Sequence, residues 1–221
     1  QNGYRFLPAF DDPDVIAGQG TIGIELSPHM PDVVIVPIGG GGLASGVALA
    51  LKSQGVRVIG AQVEGVDSMA RAIRGDTVAR DPVASLADGV RVKVPGFITR
   101  RLCANLLDDV VIVREAELRE TLVRLALEEH LIAEGAGALA LAAGKRVAGK
   151  RKCAVVSGGN IDAGVLAQLL SEIRPSPPRK PRRRAREREP LARETGKAAS
   201  VATKAVMPQH PSPVTIMQAP A

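Results

Sequence analysis

Residues 33–42 constrain this chain more than any other stretch. The apolar run Val33-Val-Ile-Val-Pro-Ile38 passes directly into Gly39-Gly-Gly-Gly42, and Leu43–Lys52 then follows a helical pattern. A continuous run rich in β-branched residues predicts a strand buried on both faces, as in a parallel sheet. Four glycines between strand and helix allow backbone N–H groups to converge, and the helix N-terminus adds positive potential. An oxygen-rich anion such as phosphate suits such a loop. A tight strand–helix joint is the plainer alternative. Ser45 could add a hydroxyl from the first helical turn or bond within its own helix.

The same alternation continues along the chain. Strands are predicted at 56–61, 110–113 and 153–156, and helices at 67–73, 115–129, 134–143 and 161–173. Strand and helix in turn, with short joints, predict an α/β fold of three layers around a mostly parallel sheet. Residues 12–30 are apolar enough for a helix but contain Gly18, Gly20 and Gly23, which weaken that expectation. A second glycine loop, Ser157-Gly-Gly-Asn160, follows the strand at 153–156. Both loops would then lie at the C-terminal edge of one sheet, where α/β proteins bind ligands. A turn in which Asn160 caps the final helix explains the second loop equally well.

Composition narrows the function classes. The 221 residues are 45% hydrophobic and 24% charged, which excludes wholesale disorder. No run of 18 apolar residues predicts a membrane span. Two cysteines exclude a disulfide scaffold or a cysteine-rich zinc domain, and with no paired partner they read as buried thiols. With 2% aromatics, stacking on nucleic-acid bases is not expected. The net charge of +6 sits in the tail: residues 171–221 hold 11 Lys/Arg against 4 Asp/Glu, and residues 1–170 hold 18 against 19. No specific nucleic-acid partner is therefore expected for the body. The Pro- and Arg-rich residues 174–221 predict a disordered tail, inert or touching polyanions nonspecifically, beside a folded unit over 1–173. His29 and His130 read as structural or exposed. Asp88 fits a turn, and Asp11 and Asp12 the start of a helix near Pro13.

Two nucleotide-binding patterns fare poorly. Gly39-x-Gly41-x-x-Ala44 formally matches a loose dinucleotide fingerprint, with Glu64 near the end of the second strand, but such a match is weak inside a four-glycine run. No Gly-Lys-Ser/Thr follows, so a phosphate-binding P-loop is excluded.

Five segments, in order and spacing, carry a resemblance: residues 8–25, Val36-Pro-Ile-Gly-Gly-Gly-Gly-Leu43, Ala87-Asp-Gly89, Ile132-Ala-Glu-Gly-Ala-Gly-Ala138 and Ser157-Gly-Gly-Asn-Ile-Asp162. Over about residues 4–172 the chain resembles the C-terminal large-domain part of the threonine dehydratase and serine racemase family, pyridoxal-phosphate enzymes of the tryptophan-synthase-β fold. The resemblance implies pyridoxal 5′-phosphate as cofactor. It places the cofactor phosphate on Gly39, Gly40, Gly41, Gly42 and the backbone of Leu43, the pyridine nitrogen on Ser157, and Glu134 near the cofactor. Glu134 could equally just begin a helix, where a carboxylate is stabilised. A hydroxyl at the ring nitrogen does not hold it protonated as a carboxylate would, so the ring is a weaker electron sink.

The implied reaction is β-elimination of a small hydroxy amino acid, L-threonine or L-serine, to 2-oxobutanoate or pyruvate plus ammonia. Serine racemase chemistry stays open, as do a noncatalytic module for a phosphorylated small molecule and a dinucleotide-binding fragment. The resemblance further implies amino-acid metabolism, including isoleucine biosynthesis, a cytoplasmic setting, and a homo-oligomer when full length. The family's cofactor-binding lysine lies in an upstream Ser-x-Lys-x-Arg-Gly-Ala type segment that this sequence does not contain. None of the eight lysines matches it. The N-terminal portion of the large domain is thus expected to be missing and the catalytic group is not assigned. A divalent-cation site known in some members would fall on Gln62 and Ser68, whose types put it in doubt, so no metal is expected.

Overall fold

The computed structural model describes residues 6–172 and the backbone of residues 214–218. Five parallel strands form one sheet in the order β3-β2-β1-β4-β5, with β1 Val33–Pro37, β2 Arg57–Val63, β3 Asp109–Val113, β4 Lys152–Val156 and β5 Val214–Gln218. The helices are α1 Pro13–Leu26, α2 Gly42–Leu51, α3 Ser68–Ile73, α4 Phe97–Leu106, α5 Glu115–Glu128, α6 Gly135–Ala143 and α7 Ala163–Ser171.

Alternating side chains of β1 divide the core as the pleat requires. Val33 and Ile35 join Ile59, Ala61 and the apolar faces of α5 and α6. Val34 and Val36 join Leu26, Val47, Leu51, Met69 and Cys103 on the opposite face. All five β1 residues are buried. The sheet therefore lies between two helical layers, the architecture the alternation predicts.

The predicted elements stand within a few residues of those observed, with instructive exceptions. The glycines do not break α1. Asp12 accepts from the Asp14 N–H at 2.8 Å, and Pro13 opens the helix with its φ already set. Gly20 and Gly23 lie against α2: a Cβ on Gly23 would stand 2.7 Å from the Ala50 Cβ, and one on Gly46 would collide with the Ile16 carbonyl oxygen. The glycines permit this close helix contact. Helix α4 is absent from the sequence reading, since the side chain that starts it comes from Asp11. The final helix begins at Ala163 because Asp162, not Asn160, caps it, accepting from Gly164 N–H at 2.8 Å and Val165 N–H at 3.0 Å.

The strand predicted at 153–156 starts one residue earlier, and Lys152 is its buried first residue. Its Nζ donates to the Gly144 carbonyl at 3.0 Å. Within the tail expected to be disordered, Val214–Gln218 pairs in register with Lys152–Val156. Val-Thr-Ile-Met-Gln is a short β-favouring run, and prolines at 213 and 220 bracket it. The remainder of the tail reading, residues 174–213 and 219–221, lies outside the described residues.

Glu117 fastens α5 to the turn after α6. Its carboxylate accepts from the Arg114 backbone N–H at 2.9 Å and from the Arg146 guanidinium. The backbone bond chiefly, with the Arg146 and Arg114 guanidinium groups, outweighs partial burial and holds its pKa down to about 2 from an ordinary 4.5. A carboxyl with a lowered pKa stabilises the folded state above about pH 4.5 and loses that contribution as pH falls toward its folded value. Glu117→Gln is therefore expected to lower Tm at pH 7, and the deficit to shrink between about pH 4.5 and pH 2. Thermal melts across that range check it.

Candidate functional site

Strand order locates the site. From β1 the chain moves to β2 and β3 on one side, then returns to place β4 on the other, so β1 and β4 flank the point where the winding reverses. Open α/β sheets leave a crevice there, outside the carboxyl ends of the strands. The register widens it. Between β1 and β4 pairing runs through Val33–Lys152, Val34–Cys153 and Ile35–Ala154, while β1 stays paired with β2 to Pro37–Ala61. Gly39–Gly42 follows β1 and Ser157–Asn160 follows β4, so both glycine loops stand at this opening.

Protein segments crowd the tetraglycine loop at each Cα. A Cβ on Gly40 would collide with the Phe10 ring, one on Gly42 would stand 3.1 Å from Phe10, and one on Gly39 3.1 Å from the Val90 Cα. At Gly41, φ is +99°, a conformation that favours glycine, and a Cβ would stand 2.6 Å from Met69 Cε and 2.9 Å from Thr99 Cβ. The Thr99 hydroxyl donates to the Gly40 carbonyl at 2.6 Å, and the Ser45 N–H donates to the Gly41 carbonyl at 2.9 Å. Among the described residues no acceptor takes the N–H groups of Gly40, Gly41, Gly42 or Leu43. Gly40, Gly41 and Gly42 are buried. Buried backbone donors normally find a partner, so an anion with several oxygens fits this loop.

Ser45 does not face outward. Its Oγ lies 3.5 Å from Cys103 Sγ, and burial pushes that thiol up to about 11. Both cysteines are buried, as expected, and a buried neutral thiol is a packing group here rather than a nucleophile.

Across the opening, Glu134 stands immediately before α6 with extended backbone, and its side chain bonds to no helix N–H. It does begin a helix, but its carboxylate lies elsewhere: a Cβ on Gly158 would collide with Glu134 Oε1, and one on Gly89 would stand 3.8 Å from it. The Glu134 N–H donates to the Gly158 carbonyl at 3.0 Å. The half-buried Ser157 hydroxyl and the Glu134 carboxylate bond to no other described side chain. Asp88–Val90 forms a short 3-10 turn linking the halves, with Val90 against Gly39 and Gly89 against Glu134 and Ala136.

The structure thus gathers Gly39–Leu43, Glu134 and Ser157 around one opening. Phe10, Thr99 and Gly89 belong to the same assembly and were missed as site residues. Phe10 and Gly89 lie within segments that carry the family resemblance, which was the available signal; Thr99 has none. Gln62 and Ser68 are otherwise engaged. Gln62 Nε2 donates to the Ile38 carbonyl at 3.1 Å, its Oε1 accepts from Ala70 N–H at 2.8 Å, and Ser68 Oγ donates to the Val92 carbonyl at 2.6 Å. Among the described residues no group of three His, Cys, Asp or Glu side chains could hold a metal ion.

A parallel sheet with two glycine loops at its reversal point, one with unpaired amides and one led by a hydroxyl, is a frame that suits a phosphate-bearing ligand. The chain belongs to the pyridoxal-phosphate dependent enzyme family, whose model matches residues 1–158. It is 44% identical over 182 residues to the L-threonine dehydratase catabolic TdcB of Escherichia coli (strain K12), covering 77% of this chain and 55% of that protein. Among solved structures, the processed form of threonine deaminase isoform 2 from Solanum lycopersicum is 33% identical with a TM-score of 0.70, covering 76% of this chain and 52% of that one. Maize serine racemase is 32% identical with a TM-score of 0.65, covering 73% and 54%. The chain spans about half the length of the curated relatives it matches.

The Phe10 ring sets the tolerance of the loop. Gly40→Ala is expected to cost about 1–3 kcal/mol of stability, the usual range for overpacking. In a Phe10→Ala background the same change should cost less than half as much. A urea-unfolding double-mutant cycle measures this, and equal costs in both backgrounds would show that the ring does not fill the space.

Proposed function

We propose that this chain is the large-domain part of a threonine or serine ammonia-lyase, acting on L-threonine or L-serine with pyridoxal 5′-phosphate as cofactor. The observation that carries the reading is the set of unpaired N–H groups at Gly40–Leu43, in a loop at the same sheet opening as Ser157 and Glu134. In this reading Gly39–Gly42 and the Leu43 backbone hold the phosphate, and the helix N-terminus of α2 adds favourable potential. Ser157 meets the pyridine nitrogen as a neutral hydroxyl. Glu134, fixed between Gly89 and Gly158, sets the charge beside the ring. When bound, pyridoxal phosphate supplies the electron sink that lets a hydroxy amino acid lose its α-proton and β-hydroxyl; the protein supplies placement and electrostatics.

The products are 2-oxobutanoate or pyruvate, with ammonia. Amino-acid metabolism in the cytoplasm, feeding isoleucine biosynthesis, and a homo-oligomeric full-length enzyme belong to the same proposal. Among the described residues no helix is long and apolar enough to cross a membrane. Racemisation of serine is the second reading, supported by the likeness to maize serine racemase.

The test is 2-oxo acid release from L-threonine and L-serine, with D-serine formation followed in parallel. The 221-residue chain with saturating cofactor is expected to give no turnover, because none of its eight lysines lies in a Ser-x-Lys-x-Arg-Gly-Ala type segment. Extended upstream by such a segment, it should release ammonia, and Gly40→Asp in the extended chain should abolish cofactor binding, because its side chain would collide with the Phe10 ring and displace the loop. Turnover by the short chain, with a borohydride-reduced adduct mapped to one of its lysines, would overturn the assignment of the missing group. An inactive extended chain would sink the ammonia-lyase reading.

A further inference from the structure

The segment at Phe10-Asp11 and helix α4 hold the tetraglycine loop from outside the sheet. The Asp11 carboxylate accepts three successive backbone N–H groups at the start of α4: Phe97 at 2.8 Å, Ile98 at 2.9 Å and Thr99 at 3.0 Å. It thus caps a helix 86 residues away in sequence. Three charge-assisted bonds to one carboxylate fix that turn strongly. The capped turn presents Thr99, which is fully buried, and its hydroxyl donates to the Gly40 carbonyl at 2.6 Å. One turn further along α4, Cys103 Sγ lies 4.0 Å from the Gly41 carbonyl.

A trans peptide is planar, so its C=O and the following N–H point in opposite directions. The described residues contain no cis peptide bond. Fixing the Gly40 carbonyl toward Thr99 therefore aims the Gly41 N–H away from α4. The Ser45 bond to the Gly41 carbonyl orients the Gly42 N–H in the same manner. Glycine has unusual rotational freedom, and a run of four would otherwise sample many orientations. Phe10, against Gly40 and Gly42, limits the loop from another side.

We infer that Thr99 is a positioning residue for the phosphate grip, its hydroxyl setting the Gly40–Gly41 peptide so that the loop's N–H groups are aligned before the cofactor arrives, with Asp11 holding Thr99 in place. This rests on the reading of Gly39–Gly42 as the phosphate loop.

Pyridoxine 5′-phosphate and pyridoxine, neither of which has an aldehyde, serve as probes for the 221-residue chain, and the ratio of their dissociation constants measures the phosphate's share of binding. Thr99→Val should weaken pyridoxine 5′-phosphate about tenfold, the value of one lost hydrogen bond, and leave pyridoxine unchanged. Thr99→Ser keeps the hydroxyl and should restore the ratio to within about twofold. Amide hydrogen exchange at residues 39–43 of the ligand-free chain should quicken in Thr99→Val and not in Thr99→Ser. If Thr99→Val does not fold, Asp11→Asn, which loosens the same turn, is expected to lower the ratio in its place. A fall in Tm with an unchanged ratio would reduce Thr99 to ordinary packing and overturn the inference while the phosphate loop stands. A wild-type ratio near one would instead overturn the phosphate reading, and the inference with it.

Discussion

Because no side chain stands at Gly39–Gly42, four segments distant in sequence close onto one loop. Phe10 comes from before α1, Thr99 and Met69 from α4 and α3, and Val90 from the turn after residue 87. Each occupies space that a Cβ would need. The glycines thus do two things that are usually separated: they let the protein pack tightly around the loop, and they leave unpaired backbone N–H groups for a ligand. A loop of flexible residues becomes ordered because its neighbours are fixed by their own bonds. The Asp11 cap on α4 is chief among these. Entropy that four glycines would lose on binding an anion is lost on folding instead, which favours tighter recognition of the ligand.

The elements legible in the sequence were those whose causes are local. Val33–Pro37 is a buried strand because its own residues are β-branched and apolar, α5 follows from its own periodicity, and α6 from its run of alanines. The candidate residues Gly39–Leu43, Glu134 and Ser157 stood out through glycine runs after strands and through the family resemblance, and the structure gathers them at one opening. What escaped depends on partners far away. Helix α4 contains Arg100 and Arg101, and no N-capping side chain precedes it locally; its cap is Asp11. Gly18, Gly20 and Gly23 argue against α1 until the surface of α2 makes two of them necessary. Lys152 looks exposed by its charge, yet a buried ammonium is tolerated because the Gly144 carbonyl accepts from it. Strand β5 depends on the free edge of β4, which no window of sequence around residue 216 reveals.

The two halves of the opening rest on different layers of the fold. The tetraglycine loop is braced from the face of the sheet that carries α1, α2, α3 and α4, whose core includes Val34, Val36, Met69 and Cys103. Glu134 and the Ser157 loop are braced from the opposite face, where Gly135 and Gly137 bring the first turn of α6 against Leu86 and Gly158. A change that repacks one core therefore shifts one half of the site more than the other. Two features hold the halves in register. One is the short β1–β4 ladder, which ends at Ile35 and Ala154 and leaves the strand ends free to diverge. The other is the Asp88–Val90 turn, which touches Gly39 through Val90 and Glu134 through Gly89. The 88–90 turn thus touches both halves of the opening above a ladder of three residue pairs, so the spacing of the two glycine loops rests on one turn and one short stretch of sheet.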